Sequence, residues 1–325
     1  MMKELILTRR ALVGAAGASL ACPALAAGYP DRPIRLVVPF PPGGTVDVTA
    51  RPIAAAVSET LGQPIIIDNQ PGAGGNVGTQ RVARAAANGY TLLFTAPNHT
   101  INPGLMPNAG FDAQKDFAPI SLCAQIPEIL VCHKDAPFRT FQEFVAYARA
   151  HPRELTYSSA GIGSHPHVTM ELMLHRLGLE VLHVPYRGAA PAFTDLVAGR
   201  VQLKLDSYAT STAQIEAGAI RVLAIASSQR STVAPDVPTV AEMGLPGFEG
   251  ILWMGCLAPA STQAEAVNRI AKAVQEAVRS PALGKVLAQQ GAEAVGSSPE
   301  AFAARIAQEI PQWRDVIRDA NIRPE

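Results

Sequence analysis

Three things are missing from this sequence: an excess of charge of either sign, a disulfide framework and, past the first 26 residues, any long apolar run. Twenty-seven lysines and arginines balance 27 aspartates and glutamates, so the basic surplus by which a general nucleic-acid binder neutralises phosphates is absent. Four cysteines are present, one of them (Cys22) in the N-terminal stretch. The other three, Cys123, Cys132 and Cys256, are too few and too odd in number for a stapled scaffold. Cys123 and Cys256 can meet only if their strands are neighbours; the other reading is buried thiols acting as small core hydrophobes. No segment after residue 26 has the apolar length to span a bilayer. No internal repeat or low-complexity tract is present.

Familiar catalytic and nucleotide signatures are missing too. "GAGGNVG" (residues 72–78) puts Val77 where a dinucleotide fingerprint needs its third glycine, and no loop carries Gly-Lys-Ser/Thr. "GIGSH" lacks the trailing glycine of a nucleophile elbow, because Pro166 stands there. His165 and His167 have His-x-His spacing without the carboxylates that complete a metal site, and are assigned to hydrogen bonding or packing. No metal and no cofactor is expected.

The N-terminus reads as an export signal, residues 1–26: a basic start (Lys3, Arg9, Arg10), an apolar core from Ala11 to Ala21, and Ala24-Leu25-Ala26 as a small-x-small cleavage pattern before Ala27. Thr8-Arg9-Arg10-Ala11-Leu12 is twin-arginine-like, with Val13 and Gly14 departing from that pattern. Cys22 is set aside as a lipid anchor because Ser19 occupies the lipobox leucine position. Cleavage leaves a periplasmic chain with a net charge of about −2.

The mature chain alternates strand, turn and helix, the pattern of an α/β protein with parallel sheets. Strands are expected at 34–40, 64–68, 90–95, 118–133, 155–159, 181–185, 201–206, 221–227 and 251–258. Helices are expected at 46–61, kinked by Pro52, and at 76–87, 141–150, 165–177, 190–198, 210–217, 262–279 and 299–319. The stretch 118–133 is long and broken by Pro127, as a strand passing between two domains would be, and 251–258 is its return. The chain is therefore divided into 27–124 with 254–325 as lobe 1, and 125–253 as lobe 2.

Several strands empty into glycine-rich or polar turns before helices. In parallel α/β sheets these ends bind ligands, and free amides at a helix start favour a carboxylate or phosphate. "PFPPGGTVD" (39–47) and "SSAGIGSHPH" (158–167) are such turns. In "HVPYRGAAPAFTDLVAGRVQLKLDS" (183–207), Arg187 is either an anion partner or a surface residue. Asp206 is either an acceptor for an ammonium or hydroxyl or a helix cap, and Lys204 either neutralises Asp206 or faces solvent from an edge strand.

Taken in order, "YPDRPIRLVVPFPPGGTVD", "NQPGAGGNVG", "NGYTLLFTAPNHTINP", "SSAGIGSHPH", "HVPYRGAAPAFTDLVAGRVQLKLD" and "PDVPTVAEMGLPGFE" resemble the Bug family, the substrate-binding receptors of tripartite tricarboxylate transporters. The resemblance covers essentially all of the mature chain. It implies a two-lobed periplasmic-binding protein of type II that closes on a small organic carboxylate, often through ordered waters. It also implies no catalysis, a monomer, and delivery to the membrane components of the transporter. By position it carries ligand contacts onto Phe40, Gly43, Gly44, Thr45 and Asp47, onto Asn98 and His99, onto Ser159, Gly161, Ser164 and His165, and onto Arg187, Gly188, Ala189 and Asp206. Thr45-Val46, Pro97-Asn98 and Lys204 depart from the usual family residues. Two other functions stay open: a periplasmic hydrolase using Ser164, His165 and His167, and a receptor serving a sensing pathway.

Overall fold

A computed structural model describes residues 28–106, 108–231 and 234–323; the segment expected to be an export signal, with Cys22, lies outside them. The elements in chain order are β1 (Ile34–Val38), α1 (Thr45–Leu61), β2 (Ile65–Asn69), α2 (Asn76–Ala83), β3 (Thr91–Thr95), α3 (Asn98–Leu105), β4 (Phe117–His133), α4 (Phe141–Ala150), β5 (Thr156–Ser159), α5 (His165–Leu177), β6 (Leu182–Pro185), α6 (Ala189–Val197), β7 (Leu203–Ser207), α7 (Tyr208–Glu216), β8 (Ile220–Ile225), β9 (Ile251–Pro259), α8 (Ala264–Val278), α9 (Pro281–Gln289), β10 (Glu293–Ala294) and α10 (Pro299–Asp319).

Strand β4 organises the molecule because it changes partners midway. From Phe117 to Pro127 it pairs with β9, Phe117 opposite Pro259 and Pro127 opposite Ile251. From Glu128 onward it lies between β7 and β8, with Glu128 opposite Ser207 and Ile129 opposite Ile225. The first half of the sheet runs β2-β1-β3-β9-β4-β10 and the second β6-β5-β7-β4-β8. The sheets are mixed rather than parallel. β1 with β2 and β3, and β5 with β6 and β7, are parallel, whereas β4 and β9 are antiparallel to each other and to their outer neighbours. A strand that carries the chain out of one half and another that brings it back run in opposite directions, a constraint that element alternation alone does not encode.

Each half has its own apolar centre. In the first, β1 and β3 pack against the apolar faces of α1 and α8. Buried residues of α8 recur as Ala266, Val267, Ile270, Ala271, Val274, Ala277 and Val278, the three-and-four spacing of one helical face. In the second, Phe138, Phe141 and Phe144 pack with Tyr157, Met173 and Leu205. Trp313, Val316 and Ile317, from the last half of α10, join this second cluster. α10 thus touches both halves. Helix α1 runs unbroken through Pro52, and Pro311 is likewise inside α10. Cys123, Cys132 and Cys256 are all free and buried, and burial pushes the Cys123 thiol up to about 12 and the Cys132 thiol up to about 11. They act as core atoms. Among the described residues no helix is long and apolar enough to cross a membrane.

Candidate ligand-binding site

The carboxyl ends of β1, β5, β6 and β7 open toward one cavity of about 490 Å³. Its wall includes the beginnings of four helices: Gly43 and Thr45 at α1, Pro166 at α5, Ala189 at α6, and Ser207, Ala209 and Thr210 at α7. Helix starts carry a partial positive charge, so four of them around one space favour an anion, although Asp47 and Asp206 already take amides at the starts of α1 and α7. Ile126, Leu252 and Val48 supply apolar wall, and Thr49, Glu128, Lys204, Asp206, Gln289 and Gln290 supply polar groups.

The turn before α1 is held by a carboxylate from inside the helix. Gly44, the residue that opens α1, has no side chain to cap it. Asp47 takes over: its Oδ2 accepts from Gly43 N–H at 2.8 Å and Arg51 Nε at 2.9 Å, and its Oδ1 accepts from Arg51 Nη2 at 2.8 Å and Asn69 Nδ2 at 2.9 Å. Burial alone would raise the Asp47 pKa. The hydrogen bonds from Arg51, Gly43 and Asn69, with the charge of Arg51, outweigh it and hold the carboxyl below its usual range. Asp47 therefore faces the turn it shapes. Gly43 has φ of +76°, a conformation that glycine adopts at little cost. Asn69 also donates to the Phe40 carbonyl at 3.1 Å, and Phe40 directs its ring toward Gly75.

The second turn, 159–164, is tied by hydroxyls and histidines. Ser164 Oγ donates to Gly161 O at 2.6 Å, and Ser159 Oγ meets His183 Nε2 at 2.6 Å. His167 Nδ1 accepts from Gly163 N–H at 3.0 Å and stacks on His183 with ring centroids 3.9 Å apart. Burial holds both imidazoles neutral, lowering His167 to about 3 and His183 to about 4. Ser164, His165 and His167 thus form no nucleophile–base pair: the serine hydroxyl is bound to a carbonyl and each ring faces elsewhere. Gly188 N–H donates to Ala160 O at 3.2 Å, which joins this turn to the start of α6.

Of the residues assigned from sequence, Gly43, Thr45, Ala189 and Asp206 line the cavity. Gly44, Ser159, Gly161, Ser164 and Gly188 belong to the turns that frame it. His99 packs apart from it, buried against Phe111 and Phe117 with Nε2 on Ala113 O at 2.8 Å, and burial lowers its pKa to about 4. Asn98 opens α3 and Arg187 is exposed; neither is on the cavity wall.

Lys204 is not at an edge. β7 lies between β4 and β5, and Lys204 is only 2% exposed. Its Nζ contacts Asp206 Oδ2 at 3.0 Å and donates to Leu205 O at 3.0 Å. The other oxygen of Asp206 accepts from Ser207 N–H at 2.8 Å and Thr210 Oγ1 at 3.0 Å. Asp206 is therefore neutralised by Lys204 and engaged at the start of α7 at once. Glu128, 5% exposed, has a histidine beside it rather than a lysine or arginine. Its Oε2 comes within 3.2 Å of His165 Nδ1, yet neither atom has the alignment of a hydrogen bond. Glu128, Thr49, Gln289 and Gln290 were not assigned from sequence. The one signal was a carboxylate in the middle of the apolar run "IPEILV".

A second hollow of about 240 Å³ lies along α10, lined in part by Glu249, Arg305, Glu309 and Trp313. Its charges satisfy one another: Arg305 contacts Glu309 at 2.8 Å and Glu249 at 3.4 Å, and Glu309 accepts from Trp253 Nε1. The cavity at the helix starts is the better place for an anion.

Comparison with known proteins follows the same line. The family described as tripartite tricarboxylate transporter family receptor matches residues 49–322. BugT of Bordetella pertussis is 36% identical over 310 residues, 95% of each chain. An R. palustris protein solved with adipate is 37% identical, with a TM-score of 0.78 over 92% of this chain and all of that one. MatC from Rhodopseudomonas palustris with bound malate is 35% identical, with a TM-score of 0.74 over 89% of this chain and all of that one.

Proposed function

This chain belongs to the tripartite tricarboxylate transporter receptor family, and from that premise we propose that it binds one small organic carboxylate in the cavity between its halves. It passes that ligand to the membrane components of such a transporter. The observation that carries the reading is the convergence of four helix starts on one cavity. The adipate and malate held by two relatives of similar fold support the ligand class.

In this reading residues 27–124 with 254–325 and residues 125–253 are the two lobes, and the partner change along β4 at Pro127 and Glu128 supports limits close to these. The ligand touches the turns at Gly43 to Thr45, at Ala160 to Pro166 and at Ala189, and the end of β7. The chain acts as a monomer in the periplasm after cleavage near Ala26 and Ala27, and catalyses no reaction. Neither hydrolysis nor a sensing role has an observation in its favour. Calorimetry of the mature chain against dicarboxylates, neutral sugars and metal ions tests the reading. Saturable binding of a carboxylate at one per chain is expected; ligands drawn only from the sugars or metals would overturn it.

A further inference from the structure

We infer that the cavity is built for a zwitterion, a carboxylic acid that also carries an ammonium group, rather than for a plain dicarboxylate. The inference rests on the carboxylate-receptor reading and narrows it. The anion-accepting side consists of the helix starts and Lys204, whose ammonium has one hydrogen left after Asp206 and Leu205 O. The opposite requirement comes from three atoms. Glu128 Oε2, which has only the misaligned His165 Nδ1 beside it at 3.2 Å, Gln290 Oε1 and Thr49 Oγ1 are buried without a hydrogen-bond partner, and all three residues line this cavity.

Two of these atoms can only accept, and the third can accept or donate. Gln290 donates its Nε2 to Val48 O at 3.4 Å, which leaves its oxygen as the unpartnered end. Buried acceptors without donors are costly, and a buried carboxylate most of all. A second carboxylate on the ligand would add to that cost, whereas an ammonium would supply three donors and a compensating charge. Asp206 does not fill this role, because Lys204 and the start of α7 already use both of its oxygens. The acid that would receive the ammonium is Glu128.

The test uses matched ligands and the mature, full-length chain: calorimetry with succinate against aspartate and with adipate against 6-aminohexanoate. An aminated ligand is expected to bind at least about tenfold tighter than its partner, as a charge-assisted hydrogen bond to a buried carboxylate implies. Glu128→Gln should erase that preference and strengthen binding of the plain diacid, with circular dichroism confirming the fold. Diacids that bind as well as or better than both aminated probes to the unsubstituted protein overturn the zwitterion inference and leave the receptor reading standing. So does a preference that survives in Glu128→Gln. Binding of no carboxylate, aminated or plain, overturns both. The comparison on the unsubstituted protein holds even if the variant does not fold.

Discussion

Replacing Asp47 by alanine removes the acceptor around which the cavity-lining turn before α1 is formed. Two of its four hydrogen bonds come from Arg51, whose side chain is 55% exposed. Water and salt screen such a pair, so its loss accounts for at most about 1 kcal/mol. The other two, from Gly43 N–H and Asn69 Nδ2, reach a carboxylate that is 1% exposed. Hydrogen bonds to a charged group contribute about 1.5 to 3 kcal/mol each, and the lower figure applies because Gly43 is open to water. Asp47→Ala is therefore expected to destabilise the fold by about 3 to 4 kcal/mol in urea unfolding. It should also weaken ligand binding by about tenfold, because the Gly43 to Thr45 turn is no longer preset. Arg51→Ala should cost about 1 kcal/mol or less and leave affinity near wild type. Because the folded-state pKa of Asp47 is depressed, its stabilisation is fully present above the unfolded value of about 3.9 and is lost as pH falls through the lower folded value. Asp47→Asn should remove that part of the acid limb. A loss of stability below 1 kcal/mol in Asp47→Ala, with unchanged affinity, would refute the reasoning.

Gly43→Val should weaken binding through backbone strain rather than collision, since φ is +76° and a Cβ there meets no atom within 4 Å, while Gly43→Asn, which tolerates that region, should be milder; calorimetry on both distinguishes strain from steric block. Asp206→Asn should destabilise by about 3 to 5 kcal/mol because it leaves Lys204 buried and unpaired, and Lys204→Met combined with Asp206→Asn should recover most of it in thermal unfolding. Burial lowers His99, His167 and His183 below the usual histidine value of about 6.5, so their stabilisation is complete above that pH and is lost as pH falls toward about 4; urea midpoints at pH 7 and pH 5 should differ in that direction, and equal midpoints would contradict it.

Much of the fold is legible because it depends on local pattern. The apolar spacing of α8 and α10 and the long, mostly apolar run of β4 each identify their element within a few residues. α3 and α9 escape such reading: Pro97, Pro103 and Gly104 give the first a loop-like composition, and Pro281 and Gly284 do the same for the second. The turns at Gly43 and Gly161 are visible as strand ends followed by glycine. The roles within them are not, because they depend on partners distant in sequence. Asp47 reads from sequence as a ligand contact, and its hold on the turn shows only when Asn69 and Arg51 are seen around it. For Lys204 the sequence leaves two roles open, neutralising Asp206 or facing solvent, and the choice falls to the first only when β4 and β5 are placed on either side of β7. Glu128 gains its significance only when Gln290, from the far end of the chain, closes the same cavity.

The most direct test of the central claim is a crystal structure of the mature chain with the tightest carboxylate found by calorimetry. The ligand is expected in the cavity between the halves, one per chain, with its carboxylate at the starts of α1, α6 and α7 and within reach of Thr45 and Lys204. A carboxylate found instead in the hollow beside Arg305 and Trp313, with the cavity at the helix starts empty, would contradict it.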